Sequence, residues 1–219
     1  MEDINFDVFL NLKHTFTGIR IIENVLYPTT WNLKGELIFS EDLKDDINLN
    51  IALTKVKILF DDILSSSIFL CKDNEWAFES FMPEYEIYCT NNIVLTPYEP
   101  TDDHLAVILQ AKINALSSKV FNISTIELES NNSKGLVFTF FGDTTEILPK
   151  MKDWMGENYF DLPWWDRNDG STYDLMNLTE DPNFFDFSFV SDAFKGNSNG
   201  MAKIIKPNFK PTIIKNDDK

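Results

Sequence analysis

Residues 101–141, TDDHLAVILQAKINALSSKVFNISTIELESNNSKGLVFTFF, contain a helix pattern that is followed directly by a hairpin pattern. Thr101 is a favourable helix N-cap, and the two aspartates after it carry negative charge where the helix dipole is positive. The helix is predicted to run to about Lys119, on an apolar stripe of Leu109, Ile113, Leu116 and Val120. Apolar residues then alternate on both sides of the Asn-rich turn 131–135, which predicts two antiparallel strands.

The region before this stretch contains further strand patterns. Alternation of apolar residues predicts strands at 4–13 and 31–39, with Gly35 as a candidate β-bulge. A short strand is expected at 19–25, and Tyr27-Pro28 is interpreted as the turn that follows it. The N-terminal part of the chain is therefore expected to supply strands to the sheet that contains the hairpin.

A second helix pattern lies between these strands and the opening stretch. Its apolar stripe, at spacings of 4, 3, 4 and 3, consists of Leu49, Leu53, Val56, Phe60 and Ile63. Trp76 and Phe78 are interpreted as part of a strand, with a returning strand at 85–89. A further short strand is expected at 93–96, where Pro97 ends it.

The two helix patterns match each other at an offset of 57 residues (102 minus 45). Asp45-Asp46 then aligns with Asp102-Asp103, and the apolar stripes coincide. Helical patterns match one another easily, so chance remains an alternative to duplication. The predicted fold is α+β, a mostly antiparallel sheet with two helices on one face, and a true duplication would add that the fold comprises two βαββ units.

Composition divides the chain into three segments. Residues 1–149 are expected to form the core domain, 150–195 an irregular, acidic and aromatic-rich extension packed on it, and 196–219 a flexible basic tail. The net charge of the chain is -16, and the six lysines and two aspartates from residue 195 onward leave -20 for the remainder. The tail is expected either to fold back on the acidic face or to form a free arm.

Residues suited to catalysis are few in this sequence. The two histidines have no nucleophile beside them, and the eight scattered glycines form no phosphate-binding loop. Cys71 and Cys89 are interpreted as buried, unreactive thiols. Glu127 and Glu129 share one face of a strand, an arrangement that suits metal binding or hydrolysis but also the solvated face of a hairpin. We therefore predict no catalytic residue, no cofactor and no metal.

Residues 154–174, WMGENYFDLPWWDRNDGSTYD, combine three of the five tryptophans with acidic residues. The oxygen-rich part from Asp166 resembles a calcium-binding loop, but Gly170 falls at position five instead of six and Asn177 at position twelve. The EF-hand register therefore fails. Stacking of the tryptophans on a sugar or base is also disfavoured, because the stretch lacks the basic groove of nucleic-acid binders.

Two interpretations of this stretch remain. The aromatic rings either dock on the sheet as a lid with the acids facing water, or form an exposed hot spot whose acids steer a basic partner. If Trp164 and Trp165 continue a strand, they point to opposite sides, so one is expected to be buried and the other available. The candidate partner-binding residues are Trp154, Tyr159, Trp164, Trp165, Asp166, Asp169, Tyr173 and Asp174.

The acidic composition narrows the class of function. A surface of this charge repels nucleic acid and anionic membranes and attracts basic proteins, and no apolar run approaches the ~18 residues of a membrane span. We expect a non-enzymatic acidic protein that binds a basic protein surface, of the inhibitor or immunity/anti-defence type. The acidic start of the chain predicts no signal peptide and a cytoplasmic location, in the host cytoplasm if the protein is viral.

Two other functions remain open at this point. One is a structural or assembly component of a viral or multiprotein particle, and the other is a metal-dependent hydrolase that uses the clustered carboxylates. Abundant Asn, Ile, Phe and Lys with few glycines are typical of AT-rich genomes, among them those of phages and mobile elements. The sequence does not predict an oligomeric state.

Overall fold

The computed structural model describes residues 7–40, 46–81, 93–156, 160–174 and 186–196. Across these residues the chain forms one six-stranded open sheet and five α-helices, which is the α+β class that the patterns predict. The strands are β1 (Asp7–Ile22), β2 (Val25–Ser40), β3 (Ser67–Cys71), β4 (Ile93–Thr96), β5 (Asn122–Ser130) and β6 (Phe138–Phe140). The helices are α1 (Ile47–Ile58), α2 (Glu75–Phe81), α3 (Asp102–Ser117), α4 (Met151–Met155) and α5 (Ser188–Gly196).

The strand order is β4-β3-β1-β2-β5-β6. The pairs β1–β2, β2–β5 and β5–β6 are antiparallel, whereas β1–β3 and β3–β4 are parallel. The sheet is thus mostly antiparallel, as predicted, with a parallel part at one end. Because β3 and β4 run in the same direction, their carboxyl ends meet at one edge of the sheet, and the loops after them lie side by side.

The first hairpin corrects a predicted turn. β1 continues to Ile22, and the chain reverses at Glu23 and Asn24, which both have positive φ angles of 49° and 64°. Two consecutive positive φ values are typical of the tight turns that join twisted antiparallel strands, and asparagine adopts them readily. The predicted turn at Tyr27-Pro28 is wrong, because Pro28 lies within β2 opposite Ile19.

The two predicted helices are present and contact each other. α1 begins after Asp46, whose side chain accepts a hydrogen bond of 2.6 Å from the backbone N–H of Asn48. It continues into a π-helical turn at Leu59–Leu64, while α3 packs on β5 and β6. The strand that follows α1 pairs in parallel, but those that follow α3 pair antiparallel. The two halves are therefore not equivalent βαββ units.

The region after α1 shows where sequence patterns mislead. The strand predicted around Trp76 and Phe78 is wrong: these residues lie in α2, which starts where the side chain of Asn74 accepts a hydrogen bond from the N–H of Ala77, 3.0 Å away. The strand β3 shows no alternation because all five of its residues are buried. The predicted strand at 85–89 lies outside the described residues.

A buried polar network joins the first hairpin to α3, next to aromatic residues of the core. Asp102 receives hydrogen bonds from Arg20 at 2.7 Å, from the indole N–H of Trp31 at 3.0 Å and from the hydroxyl of Ser130 at 2.6 Å. Phe16 stacks on Trp31 with the ring centroids 5.0 Å apart. This network fixes the start of α3 against the sheet and so positions the loop before it. Within the described part of the chain, no helix has the length and apolarity needed to cross a membrane.

Candidate functional site

The predicted aromatic–acidic segment is folded onto the domain. The tryptophans Trp154, Trp164 and Trp165 are only 4%, 0% and 1% exposed. The indole N–H of Trp164 donates to the carbonyl of Leu95 at 2.9 Å, and that of Trp154 donates to Asp174 at 2.8 Å. The docking of the rings agrees with the lid interpretation, but its expectation that the acids face water is wrong for Asp174, which is buried. The expectation that one of the adjacent tryptophans is available to a partner is wrong, because both are buried.

Two basic residues of the chain, Lys112 and Arg167, pair with the lid acids Asp169 and Asp174. The fully buried ammonium group of Lys112, on α3, donates to the carbonyls of Trp164 at 2.7 Å and Arg167 at 3.0 Å, and lies 3.5 Å from Asp169. Arg167 pairs with the buried carboxylate of Asp174 at 2.5 Å. The lid is therefore held by internal ion pairs, while the basic tail at 197–219 lies outside the described residues.

The pKa values in the lid reflect these contacts. Burial lowers the pKa of Lys112 to about 8, against the opposing effect of the Asp169 charge. Burial alone would raise the pKa of Asp169, but Lys112, Ser171 and Arg167 together hold this pKa below its usual range. Burial raises the pKa of Asp174 in spite of its pairing with Arg167. Asp169 and Asp174 are therefore paired within the lid, whereas Asp153, Asp161 and Asp166 are exposed.

The other residues predicted to bind a partner are only partly accessible. Asp166 is exposed, Asp169 and Tyr173 are half-buried, and Tyr159 lies outside the described residues. Glu127, of the predicted carboxylate pair, lies 3.8 Å from Lys34 on the neighbouring strand. Among the described residues, no group of three or more His, Cys, Asp or Glu side chains is placed to share a metal ion.

A separate cavity of about 710 Å³ opens at the carboxyl ends of β3 and β4. Its walls come from the hairpin turn at Glu23 and Asn24, from Cys71 with residues 73–76, from residues 97–99 and from His104 at the start of α3. Such a meeting point of strand ends and helix starts is where ligands commonly bind in sheets with parallel strands. We take this cavity as the candidate functional site.

Aromatic side chains in the cavity are accessible and held in place. Trp76 is 42% exposed and Tyr98 is 37% exposed. The hydroxyl of Tyr98 donates to the carbonyl of Ile147 at 3.1 Å, and the ring packs on His104 with centroids 4.9 Å apart. Nδ1 of His104 in turn lies 3.0 Å from the hydroxyl of Thr101. Two rings with fixed surroundings thus face a space that a ligand can enter.

The cavity lining is rich in acidic side chains. Glu23, Asp73, Glu75 and Glu99 line it, and the described lining residues include no lysine or arginine. One carboxylate oxygen of Glu99, Oε2, is buried and has no hydrogen-bond partner among the described residues. Burial raises the pKa of Glu99; a hydrogen bond from the backbone of Glu23 to this carboxylate opposes the rise, and the charge of Glu23 adds to it. The arrangement favours a positively charged group that would bind this oxygen.

The thiol in the cavity wall has a structural role. Cys71 is buried, as predicted, and burial raises its pKa. A thiol with a raised pKa remains protonated near neutral pH and is a poor nucleophile. Cys89 lies outside the described residues. Cys71 is therefore a poor candidate for a covalent nucleophile.

The sequence contains a weak signal for this cavity. In the segment TPYEPT, at 96–101, two prolines enclose Tyr98 and Glu99, and a short loop of this kind holds its side chains in a narrow range of positions. Glu23 and Trp76 are distant in sequence and meet this loop only through the parallel pairing of β3. That pairing was not predicted, so the site was missed.

Comparisons with known proteins give limited similarity. No family model matches the sequence, and no curated protein matches it. Among solved structures, uncharacterized protein WS1659 from Wolinella succinogenes is 10% identical, with a TM-score of 0.41, over 64% of this chain and 100% of that one. A catalytic-residue mutant of Plasmodium vivax 6-pyruvoyltetrahydropterin synthase is 11% identical, with a TM-score of 0.37, over 64% of this chain and 99% of that one. Neither similarity is strong enough to indicate a function.

Proposed function

We propose that this chain is a non-enzymatic acidic protein that binds a basic protein surface, as inhibitors and immunity or anti-defence proteins do, and that it acts in the cytoplasm. The observation that carries the proposal is the cavity beside Glu99, with four acidic residues and two accessible rings in its lining. The net charge of -16 also supports the proposal, because it attracts a basic partner over longer distances. Acidic clefts concentrate the field of a protein and attract cationic groups.

The cavity, and not the aromatic lid, is the better centre for such an interface. In the lid, Asp169 and Asp174 already pair with Lys112 and Arg167. A partner would have to break these pairs before it could bind Asp169 or Asp174. In the cavity, the described lining offers carboxylates without a lysine or arginine, so a basic partner brings the missing charge. Proposed contacts therefore move from the buried tryptophans to Glu23, Trp76, Tyr98 and Glu99.

The proposal predicts binding that depends on salt and on the cavity. The full chain would be titrated with a lysine- and arginine-rich peptide at low and at high NaCl concentration, because salt screens charge–charge attraction. A double variant, Glu23→Gln with Glu99→Gln, removes two cavity charges. The matched control, Glu36→Gln with Glu129→Gln, removes two charges on β2 and β5, roughly 20 Å or more along the sheet from the hairpin turn.

We expect the cavity variant to weaken peptide binding about tenfold and the control variant less than about threefold, since nearby charges dominate a screened interaction. Equal losses in both variants would show that only the total charge matters and that the cavity is not the binding centre. Absence of binding at low salt, or binding that ignores salt, would remove the proposed function altogether.

An assembly role is the second candidate, on a different observation. Around the edge strand β6, the side chains of Leu136, Val137, Phe138 and Phe141 are exposed. An apolar edge strand can pair with a strand of another molecule. Light scattering at increasing concentration tests this: oligomers that dissociate in the variant Phe141→Asp support assembly, and a monomer at all concentrations contradicts it.

A further inference from the structure

We infer that the cavity at the carboxyl ends of β3 and β4 binds a primary ammonium group, the group at the end of a lysine side chain. This inference rests on the proposed function and names the chemistry by which the basic partner is recognised. The ammonium group would be placed between the carboxylate of Glu99 and the rings of Trp76 and Tyr98, all of which line one cavity.

The charge of the ligand follows from Glu99. Its Oε2 atom is buried without a hydrogen-bond partner among the described residues, and a buried acceptor of this kind is unfavourable until a donor reaches it. Glu23 lies close enough for its charge to act on Glu99. A neutral donor would satisfy the oxygen but would leave the two carboxylates repelling each other. A cation satisfies the oxygen and removes the repulsion.

The aromatic rings explain why the cation is an organic one. Trp76 and Tyr98 keep more than a third of their surfaces accessible within a concave space. The faces of aromatic rings attract ammonium groups, and their hydrocarbon surface accommodates the methylene chain that carries the charge. Packing against His104 and the hydrogen bond to Ile147 hold Tyr98 in place, so a ligand need not order this ring.

The shape of the lining favours an ammonium group over a guanidinium group. The carboxylates come from three separate segments: the hairpin turn at Glu23, the β3–α2 connection with Asp73 and Glu75, and the loop with Glu99. An ammonium group directs three donors in different directions, whereas the donors of a guanidinium group lie in one plane and suit a single carboxylate bound side-on. Carboxylates supplied by three separate segments of the lining are better matched by the ammonium group.

The size of the cavity indicates how the group arrives. At about 710 Å³ it is within the range of small-molecule pockets but much larger than one lysine side chain. The remaining space can receive the backbone of the segment that carries the lysine. The ligand is therefore a lysine on an exposed protein segment, and a capped lysine is the smallest probe that contains the recognised group.

Three capped amino acids test the inference on the full chain. Nα-acetyl-lysine methylamide carries the side-chain ammonium group. Nα-acetyl-norleucine methylamide has a similar side chain without charge, and Nα-acetyl-arginine methylamide carries a guanidinium group. Binding would be followed by the NMR shift of the Trp76 indole N–H. We expect the lysine probe to bind about tenfold more tightly than norleucine, equivalent to one charge-assisted contact, and more tightly than arginine.

Variants of the cavity locate the binding. Glu99→Gln keeps the shape of the side chain and should reduce the affinity for the lysine probe about tenfold, whereas the remote Glu36→Gln should leave it unchanged. Tyr98→Leu, followed through the same indole signal, removes one ring and should also weaken binding. Circular dichroism of each variant checks that it is folded. Equal affinities for lysine and norleucine, tighter binding of arginine, or no effect of Glu99→Gln would each overturn the inference.

Failure of this inference can be told apart from failure of the proposed function. If the basic peptide binds in a cavity-dependent way but the lysine probe does not shift the Trp76 signal, ammonium recognition is wrong and the basic partner stands. If the lysine probe binds at Glu99 but no basic peptide does, the ammonium site stands and the protein-binding function is wrong.

Discussion

The lid and the cavity are both built from aromatic and acidic residues, yet they differ in what balances their charge. In the lid, Trp164 is fully buried, and Asp174 is paired with Arg167. In the cavity, Trp76 is accessible, and the Oε2 atom of Glu99 is buried without a hydrogen-bond partner in the part of the chain that the structure describes. Acidic residues beside tryptophans therefore do not by themselves mark a binding site. A useful second criterion is whether the chain supplies the opposite charge itself.

The largest expected effect comes from removing a tryptophan ring. Trp164→Ala deletes a fully buried ring and the hydrogen bond to Leu95, and should lower the free energy of unfolding by about 3–5 kcal/mol. Trp76→Ala removes a ring that is 42% exposed, so less apolar surface is lost and the cost should be about 2 kcal/mol. Urea denaturation of both variants measures this. Similar losses would contradict the distinction between a structural lid and an open site.

A smaller effect is expected when one carboxylate in each region is made neutral. Asp174 accepts hydrogen bonds from the Trp154 indole, the Trp164 backbone and Arg167. Asp174→Asn turns an NH2 group toward one of these donors, and should destabilise the protein by about 2 kcal/mol even though burial raises the pKa of Asp174. Glu99→Gln removes a charge that burial and Glu23 disfavour, so the stability should stay equal or rise. Thermal unfolding at neutral pH compares the two variants directly. A clear loss of stability in Glu99→Gln would mean that the hydrogen bond from the backbone of Glu23 to the Glu99 carboxylate outweighs the cost of burying its charge.

Local patterns in the sequence predict much of the fold. The stripe from Leu109 to Leu116 predicts α3, and the alternation around the turn 131–135 predicts the β5–β6 hairpin. In both elements the buried face can be recognised from the spacing of apolar residues that are close in the sequence. The strand β3 has no exposed face, so it gives no alternation, and the turn at Glu23 and Asn24 is obscured by the nearby Tyr27-Pro28.

The candidate site depends on contacts that local patterns do not contain. The burial of Trp164 involves contacts from distant parts of the chain, among them Leu95, which accepts from its indole, and Lys112, which is 52 residues away and donates to its carbonyl from α3. A lysine within a helix pattern is normally assigned to the exposed face, so nothing near Trp164 indicates that the ring is covered. The cavity likewise needs the parallel pairing of β3 with β4 to bring Trp76 beside Tyr98.

The smallest expected effect concerns the pH dependence of the lid. The pKa of Lys112 is lowered to about 8 in the folded protein, against about 10.4 in an unfolded chain. Between these values the unfolded state binds more protons than the folded state, so the contribution of Lys112 to stability increases with pH. From pH 7 to pH 9 this increase amounts to about 1 kcal/mol. Lys112→Met removes the titration, so the stability gap between the wild type and this variant should widen over that range.

Lys57 provides the control for this measurement. It is exposed on α1, and its hydrogen bond with Asp61 raises its pKa, so it stays protonated in both states up to pH 9. The stability gap between the wild type and Lys57→Met should therefore be flat from pH 7 to pH 9. If the gap for Lys112→Met is equally flat, Lys112 keeps its proton in the folded protein up to pH 9. The raising effect of Asp169 on the pKa of Lys112 would then be larger than the lowering effect of burial.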